Sequence, residues 1–248
     1  ATTSTLTISN LSADDEAIYN VAVFNNGGSV VSRNASVTIS RYAIDDALVA
    51  YWKFDEASGT SAVNSVAGGQ PAVVTGTSSW LAGQIANAFN FDGFSYMFVE
   101  NYTKATRALS VSGWARVADA PFNNIAFVRN AQGQIGVGAG VGPGTPAGQF
   151  EIGLVYDAVT GESRLSAAIG SGPNIVRATA PGVFPLGSFQ QVGFTADGAQ
   201  LRLYLNGVEV ASVDYQGNIN QPGIPWLSMG VRLSPDTSEP PILGPDGT

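Results

Sequence analysis

Leu201-Arg202-Leu203-Tyr204-Leu205-Asn206-Gly207-Val208-Glu209-Val210-Ala211 is the stretch that decides the fold. Leu201, Leu203 and Leu205 alternate with Arg202 and Tyr204, the two-residue period of a strand with one buried face. Asn206-Gly207 then interrupts the run. Both central residues of the tightest hairpin turn need positive φ, and Asn-Gly between alternating strands is its strongest short-range signal. Val208 and Val210 carry the return strand.

The same alphabet extends outward. Leu227-Ser228-Met229-Gly230 reads as a later strand, and Phe150–Tyr156 and Ser163–Ile169 flank a longer hairpin loop at Asp157–Gly161. Leu109-Ser110-Val111-Ser112-Gly113-Trp114-Ala115-Arg116-Val117 is another strand. Asn87–Phe91 runs into Asp92-Gly93 and is followed by Tyr96–Val99. Leu48–Phe54 is read as a strand that ends in the turn chemistry of Asp55–Gly59. Helical periodicity is sustained nowhere, so the expectation is an all-β, antiparallel sandwich.

Composition limits the chemistry. The chain has 248 residues, 44 % of them hydrophobic and 12 % charged, which is enough apolar mass for a core. Eleven Lys+Arg against 19 Asp+Glu give a net charge of −8, the wrong sign for a nucleic-acid partner. The absence of His removes imidazole bases and ligands, and the absence of Cys removes disulfides, thiolate catalysis and Cys-based zinc sites. No run approaches the ~18 apolar residues of a membrane span, so membrane insertion is not expected. Ala1-Thr2-Thr3-Ser4 shows neither a basic nor an apolar leader segment, and any secretion signal is expected upstream of it.

Several of these segments, taken in order, resemble the laminin-G-like, concanavalin-A-like jelly-roll family. Val49-Ala50-Tyr51-Trp52-Lys53-Phe54-Asp55-Glu56-x-x-Gly59 looks like its opening strand, and Phe89-x-Phe91-Asp92-Gly93 like its F-x-G turn. Ser110–Arg116 is similar to its central Trp-containing strand, which implies a buried Trp114. Leu203–Ala211 is similar to its Tyr-x-Asn-Gly hairpin. The resemblance covers about residues 45–248. The family's closing Phe-x-Gly-x-Ile-Asp-Glu-Val strand is not matched before Thr248, so a missing last strand is implied.

Upstream, Leu6-x-Ile8-x-x-Leu11-x-x-x-Asp15-x-Ala17-x-Tyr19-x-Val21 resembles the end of an immunoglobulin-like domain, with Val21 where many members carry Cys. That resemblance implies a tyrosine corner, in which the Tyr19 hydroxyl bonds back to the backbone. The expected organisation is therefore 1–40 as the last strands of an immunoglobulin-like β-sandwich cut upstream, 41–47 as a short junction, and 48–248 as the jelly roll. The chain reads as a piece of a larger secreted or cell-surface protein.

Function is read as non-catalytic. Retaining or inverting glycoside hydrolysis needs two carboxylates flanking one bond, and no Glu-x-Asp or Asp-x-Glu pair lies in a strand. The expectation is a binding or adhesion module for a glycan or a surface-protein ligand. The alternatives are a structural spacer and, less favoured, a glycoside-active jelly-roll enzyme fragment. Flat aromatics in loops or at strand ends are the natural sugar-stacking candidates: Trp80, Tyr96, Tyr102, Tyr215 and Trp226. No cofactor is required. The resemblance allows one structural Ca2+, for which Asp55, Asn64 and Asp92 lie in suitable turns, because hard cations take several oxygen ligands.

Overall fold

The computed structural model describes residues 5, 13–38, 47–93, 95–119, 121, 124–131, 148–221 and 223–230. The chain divides into two compact units, Ala1–Leu48 and Val49–Thr248.

In the first unit a 3-10 turn, Ala13–Asp15, precedes β1 (Ala17–Tyr19), β2 (Ala22–Asn25), β3 (Gly28–Val31) and β4 (Ala35–Val37). β1 pairs antiparallel with β4, and β2 with β3. The β2–β3 turn is closed by the Gly27 N–H, which donates to Asn25 Oδ1 at 2.8 Å. The Tyr19 hydroxyl donates to the carbonyl of Asp15 at 2.9 Å. β3 and β4 are separated at Ser32, whose N–H and side chain both bond Val21. The Leu6, Ile8 and Leu11 positions of the immunoglobulin-like resemblance and most of the 41–47 junction lie outside the described residues.

The second unit is a sandwich. Its larger sheet contains β5 (Ser61–Ala62), β6 (Ala72–Thr75), β9 (Tyr96–Val99), β11 (Ile125–Ala131), β12 (Gly148–Asp157), β13 (Glu162–Ser171), β14 (Asn174–Thr179) and β18 (Leu227–Met229). The strand order is β14-β13-β12-β11-β18-β9-β6-β5. The smaller sheet, in order, is β10 (Leu109–Ala115), β15 (Gln190–Ala196), β16 (Gln200–Leu205) and β17 (Val208–Asp214). A separate pair, β7 (Trp80–Ala82) and β8 (Asn87–Phe89), completes the described strands. All strand pairings among the described residues are antiparallel, so the jelly-roll sandwich expected from the sequence is what forms.

Alternation builds the core. On β12 and β13 the opposed pairs Phe150–Ile169, Ile152–Ala167 and Leu154–Leu165 point inward. Leu201 and Leu203 on β16 and Phe194 on β15 belong to the same buried cluster. The β16–β17 hairpin turns at Asn206 and Gly207, with φ of 52° and 78°. Asn206 is further held by its side chain, which accepts the Gln191 N–H at 2.9 Å and donates to Gln190 Oε1 at 2.7 Å.

Two expectations are corrected. Leu48–Phe54 is not a ladder strand: only the isolated bridge Trp52–Asn64 forms. Side-chain bonds stand in for the ladder, with Asn64 Oδ1 accepting the Tyr51 N–H and the Trp52 indole donating to the Gln70 carbonyl. Phe54, at φ 59°, ends the extended run. Trp114, expected in the core, is 46 % exposed. Leu109, Val111 and Ala115 pack against the core, and a two-residue period sends Trp114 to the other face.

Truncation of Leu203 to Ala should cost about 2–5 kcal/mol in a urea titration, the range for deleting a buried leucine. Val208→Ala, at the 63 % exposed edge of the same hairpin, should stay within about 0.5 kcal/mol.

Candidate functional site

The five aromatics singled out in the sequence take different places. Tyr96 is only 2 % exposed, and its ring is tilted against Phe98 with centroids 6.4 Å apart. Tyr215 is 8 % exposed; its hydroxyl accepts the Gly198 N–H at 2.7 Å, and burial pushes its pKa up. Neither ring offers an open face for a sugar, which corrects the expectation for both. Trp80 is half-buried and sits edge-on to Phe89 at 5.1 Å, with its indole N–H spent on the Gly59 carbonyl at 3.1 Å.

Tyr102 and Trp226 are brought together. The Tyr102 N–H donates to the Pro225 carbonyl at 3.0 Å, and its hydroxyl donates to Gln149 Oε1 at 3.0 Å. Gln149 in turn donates to the carbonyls of Ala105 and Asn220, while Asn130 donates to those of Ile224 and Trp226. Both amides are fully buried strand residues. They satisfy loop carbonyls that would otherwise be stranded away from water. The Tyr102 side chain thus fastens the loops beside β12, whereas Trp226, half-buried, takes part through its backbone carbonyl. Burial pushes the Tyr102 hydroxyl up to about 12.

The oxygen-bearing turn residues are engaged in local hydrogen bonds. Asn64 Oδ1 is used by the Tyr51 and Val66 N–H groups, and its amide donates to the Gln70 carbonyl. Asp92 accepts the Ser95 hydroxyl at 2.8 Å. The Asp55 carbonyl accepts from Asn87, and the neighbouring Glu56 accepts the Val63 N–H. Among the described residues no group of three or more acidic side chains is placed to hold a metal ion. These residues organise turns.

Glu151 is the most enclosed carboxylate with a charged partner. It lies opposite Arg129 on β11, at 3.4 Å, and bonds Arg177 on β14 at 2.8 Å. Arg177 also donates to Ser166. Two guanidinium groups engage this carboxylate, and the 2.8 Å contact with Arg177 is a charge-assisted hydrogen bond that ties β12 to β14.

The residue set that the sequence reading passed over is on the outward face of the smaller sheet. Trp114 lies directly opposite Gln191, and one pair further along Ser112 lies opposite Gly193, which lies opposite Tyr204. Tyr204 in turn lies opposite Glu209. Ser112, Arg116, Gln191 and Glu209 are exposed, Tyr204 is half-buried, and Gly193 is covered by its neighbours. A Cβ at Gly193 would meet the Val111 carbonyl at 2.9 Å, so glycine keeps β10 and β15 close and leaves the floor between the two rings without a side chain. The Arg116 guanidinium lies 5.2 Å from the centroid of Phe189. Arg202 is bridged by Asp197 and Glu209; the Gln200 and Ala199 N–H groups hold the Asp197 carboxyl below the usual range. Trp52 and Trp80 donate their indole N–H inward, whereas no described residue accepts from Trp114. An exposed indole with an amide beside it is the chemistry that stacks on an apolar ring face and takes hydroxyl groups at its rim.

Residues 91–241 match the sequence model of the concanavalin A-like lectin/glucanases superfamily. A search of curated proteins found no match. Among solved structures, domain 4 of AbnA, a GH43 extracellular arabinanase from Geobacillus stearothermophilus, in complex with arabinotriose, is similar with a TM-score of 0.54. Identity is 21 %, with 79 % of this chain and 87 % of that chain covered. The binding domain of botulinum neurotoxin serotype C1 gives a TM-score of 0.47 at 12 % identity, over 75 % of this chain and 45 % of that one. An S-layer domain-containing protein from Clostridium thermocellum gives 0.37 at 16 % identity, over 66 % and 71 %.

Because Tyr102 keeps its proton to about pH 12 when folded and to about 10 when unfolded, its contribution is complete below pH 10 and is lost as pH rises towards 12. Wild-type stability should fall relative to Tyr102→Phe over that window by on the order of 2 kcal/mol, read from denaturant titrations at stepped pH.

Proposed function

The chain belongs to the concanavalin A-like lectin/glucanases superfamily, and from that premise we propose that its sandwich is a non-catalytic carbohydrate-binding module working outside the cell. The observation that carries this reading is Trp114, an indole 46 % exposed on a sheet face beside Gln191 and Arg116. A large aromatic exposed on a regular strand, with its N–H unspent among the described residues, offers a ligand both an apolar face to stack on and a hydrogen-bond donor at its edge. Sugar rings present apolar C–H faces of matching size. The similarly folded AbnA domain is described in complex with arabinotriose, which supports the ligand class.

Glu151, committed to two arginines, and Glu162 and Glu209, each beside an arginine, support a role in structure in place of acid–base catalysis. For the first unit, the Tyr19–Asp15 bond and the β2–β3 hairpin support reading it as the closing part of an immunoglobulin-like fold that carries the module.

Wild-type protein and Trp114→Ala, screened on a polysaccharide array with and without Ca2+, provide the test. Binding by the wild type and at least a tenfold loss in Trp114→Ala, about 1.4 kcal/mol, are expected with the melting temperature preserved. Trp80→Ala should lower the melting temperature without removing a binding surface, because its ring packs on Phe89 and its indole bonds Gly59. No binding on any arm, with or without Ca2+, favours the structural-spacer reading.

A further inference from the structure

We propose that the sugar taken by this face is acidic, a uronate-bearing polysaccharide whose carboxylate pairs with Arg116 while the ring stacks on Trp114. The inference rests on the carbohydrate-binding reading above and specifies its ligand class.

Arg116 lies one residue past the end of β10 and two beyond Trp114; continuing the strand alternation by that one residue puts both side chains on the same side, about 6.6 Å apart along the chain. That is about the span of one pyranose ring and its exocyclic carboxylate. Continuing the β10–β15 register one residue past the Ala115–Gln190 pair sets Arg116 against Phe189, and the guanidinium lies 5.2 Å from that ring. A ring under the guanidinium restricts it without consuming its N–H donors. The donors remain available for a bidentate pair, the geometry a carboxylate matches best.

The other arginines of the sandwich that lie near a carboxylate are neutralised in place. Arg129 and Arg177 meet Glu151, Arg164 meets Glu162, and Arg202 meets Asp197 and Glu209. Arg116 forms no ion pair among the described residues, in a protein whose formal charge is −8. Acidic side chains are abundant, and none of those described is spent on it. Of the carboxylates on this face, Glu209 is masked by Arg202, and Asp214, further along the same strand, accepts from Gln200, so Glu209, the nearer, opposes an incoming anion weakly. Gln191 flanks Trp114 and supplies both a donor and an acceptor for ring hydroxyls.

Affinity electrophoresis and calorimetry on the full chain would use polygalacturonate, alginate, methyl-esterified polygalacturonate, carrageenan and arabinan. The wild type should bind polygalacturonate or alginate at least tenfold more tightly than the ester and arabinan, and the preference should shrink at high salt because the pair is exposed. Arg116→Gln should remove that preference with an unchanged melting temperature, and Arg116→Lys should keep only part of it, since the charge stays and the fork is lost. Equal affinity for acid and ester, an unaffected Arg116→Gln, or binding confined to sulfated carrageenan overturns the carboxylate assignment. If Trp114→Ala still abolishes binding in those cases, the carbohydrate-binding reading stands. If Trp114→Ala binds like the wild type, that reading fails as well.

Discussion

The two-residue period of β10, β15 and β16 is the constraint on which both the core and the candidate site depend. Val111, Phe194 and Leu203 form one row pointing inward, and Ser112, Gly193 and Tyr204 form the neighbouring row pointing out. A one-residue slip would exchange the rows, burying polar side chains and exposing the leucines. Burial of Leu201, Leu203 and Phe194 therefore fixes the register, and the register fixes which side chains face water. The surface offered to a ligand is a by-product of core packing, held as firmly as the core. That is a sound basis for a binding face, because rotamers anchored on strands need little ordering when a ligand arrives.

The long connections are held differently. Gln149 and Asn130 are amides in buried strand positions, and their N–H groups bond loop carbonyls at Ala105, Asn220, Ile224 and Trp226. An apolar residue at either position would leave those carbonyls unsatisfied, a cost of about 1–3 kcal/mol each when buried. The aromatic side chains of these loops accordingly serve the scaffold. Tyr102 bonds Gln149 and packs edgewise on Phe150, with ring centroids 6.1 Å apart. Its raised pKa follows from that enclosure.

The hairpin at Asn206-Gly207 was legible because its turn type demands positive φ, and few residues supply it. The sheets of β12, β13, β15 and β16 were legible from alternation alone. Leu48–Phe54 was not, because the competing bonds come from Asn64 and Gln70, more than ten residues away and invisible to a local pattern. Tyr215 lies past the end of β17, where a loop aromatic and a core aromatic look alike; only the folded chain shows its ring in the core and its hydroxyl on Gly198. Trp114 teaches most. Leu109, Val111 and Ala115 set the parity that turns it outward, against the buried tryptophan that the family resemblance implies.

A net charge of −8 argues at first sight against an acidic ligand. The relevant quantity is the local field. Exposed charges beyond a Debye length of about 8 Å are largely screened at physiological ionic strength, so the summed charge affects association over a distance and contributes little at the contact. There the balance is set by Arg116, seated on Phe189, and by Glu209, already paired with Arg202. Global acidity and a local cation then act on different properties. The first slows encounter with polyanions and keeps the protein soluble; the second selects among sugars already in contact with Trp114. A charge left uncompensated among the described residues, beside a half-exposed aromatic ring, gives the sheet face a selectivity that stacking alone does not supply.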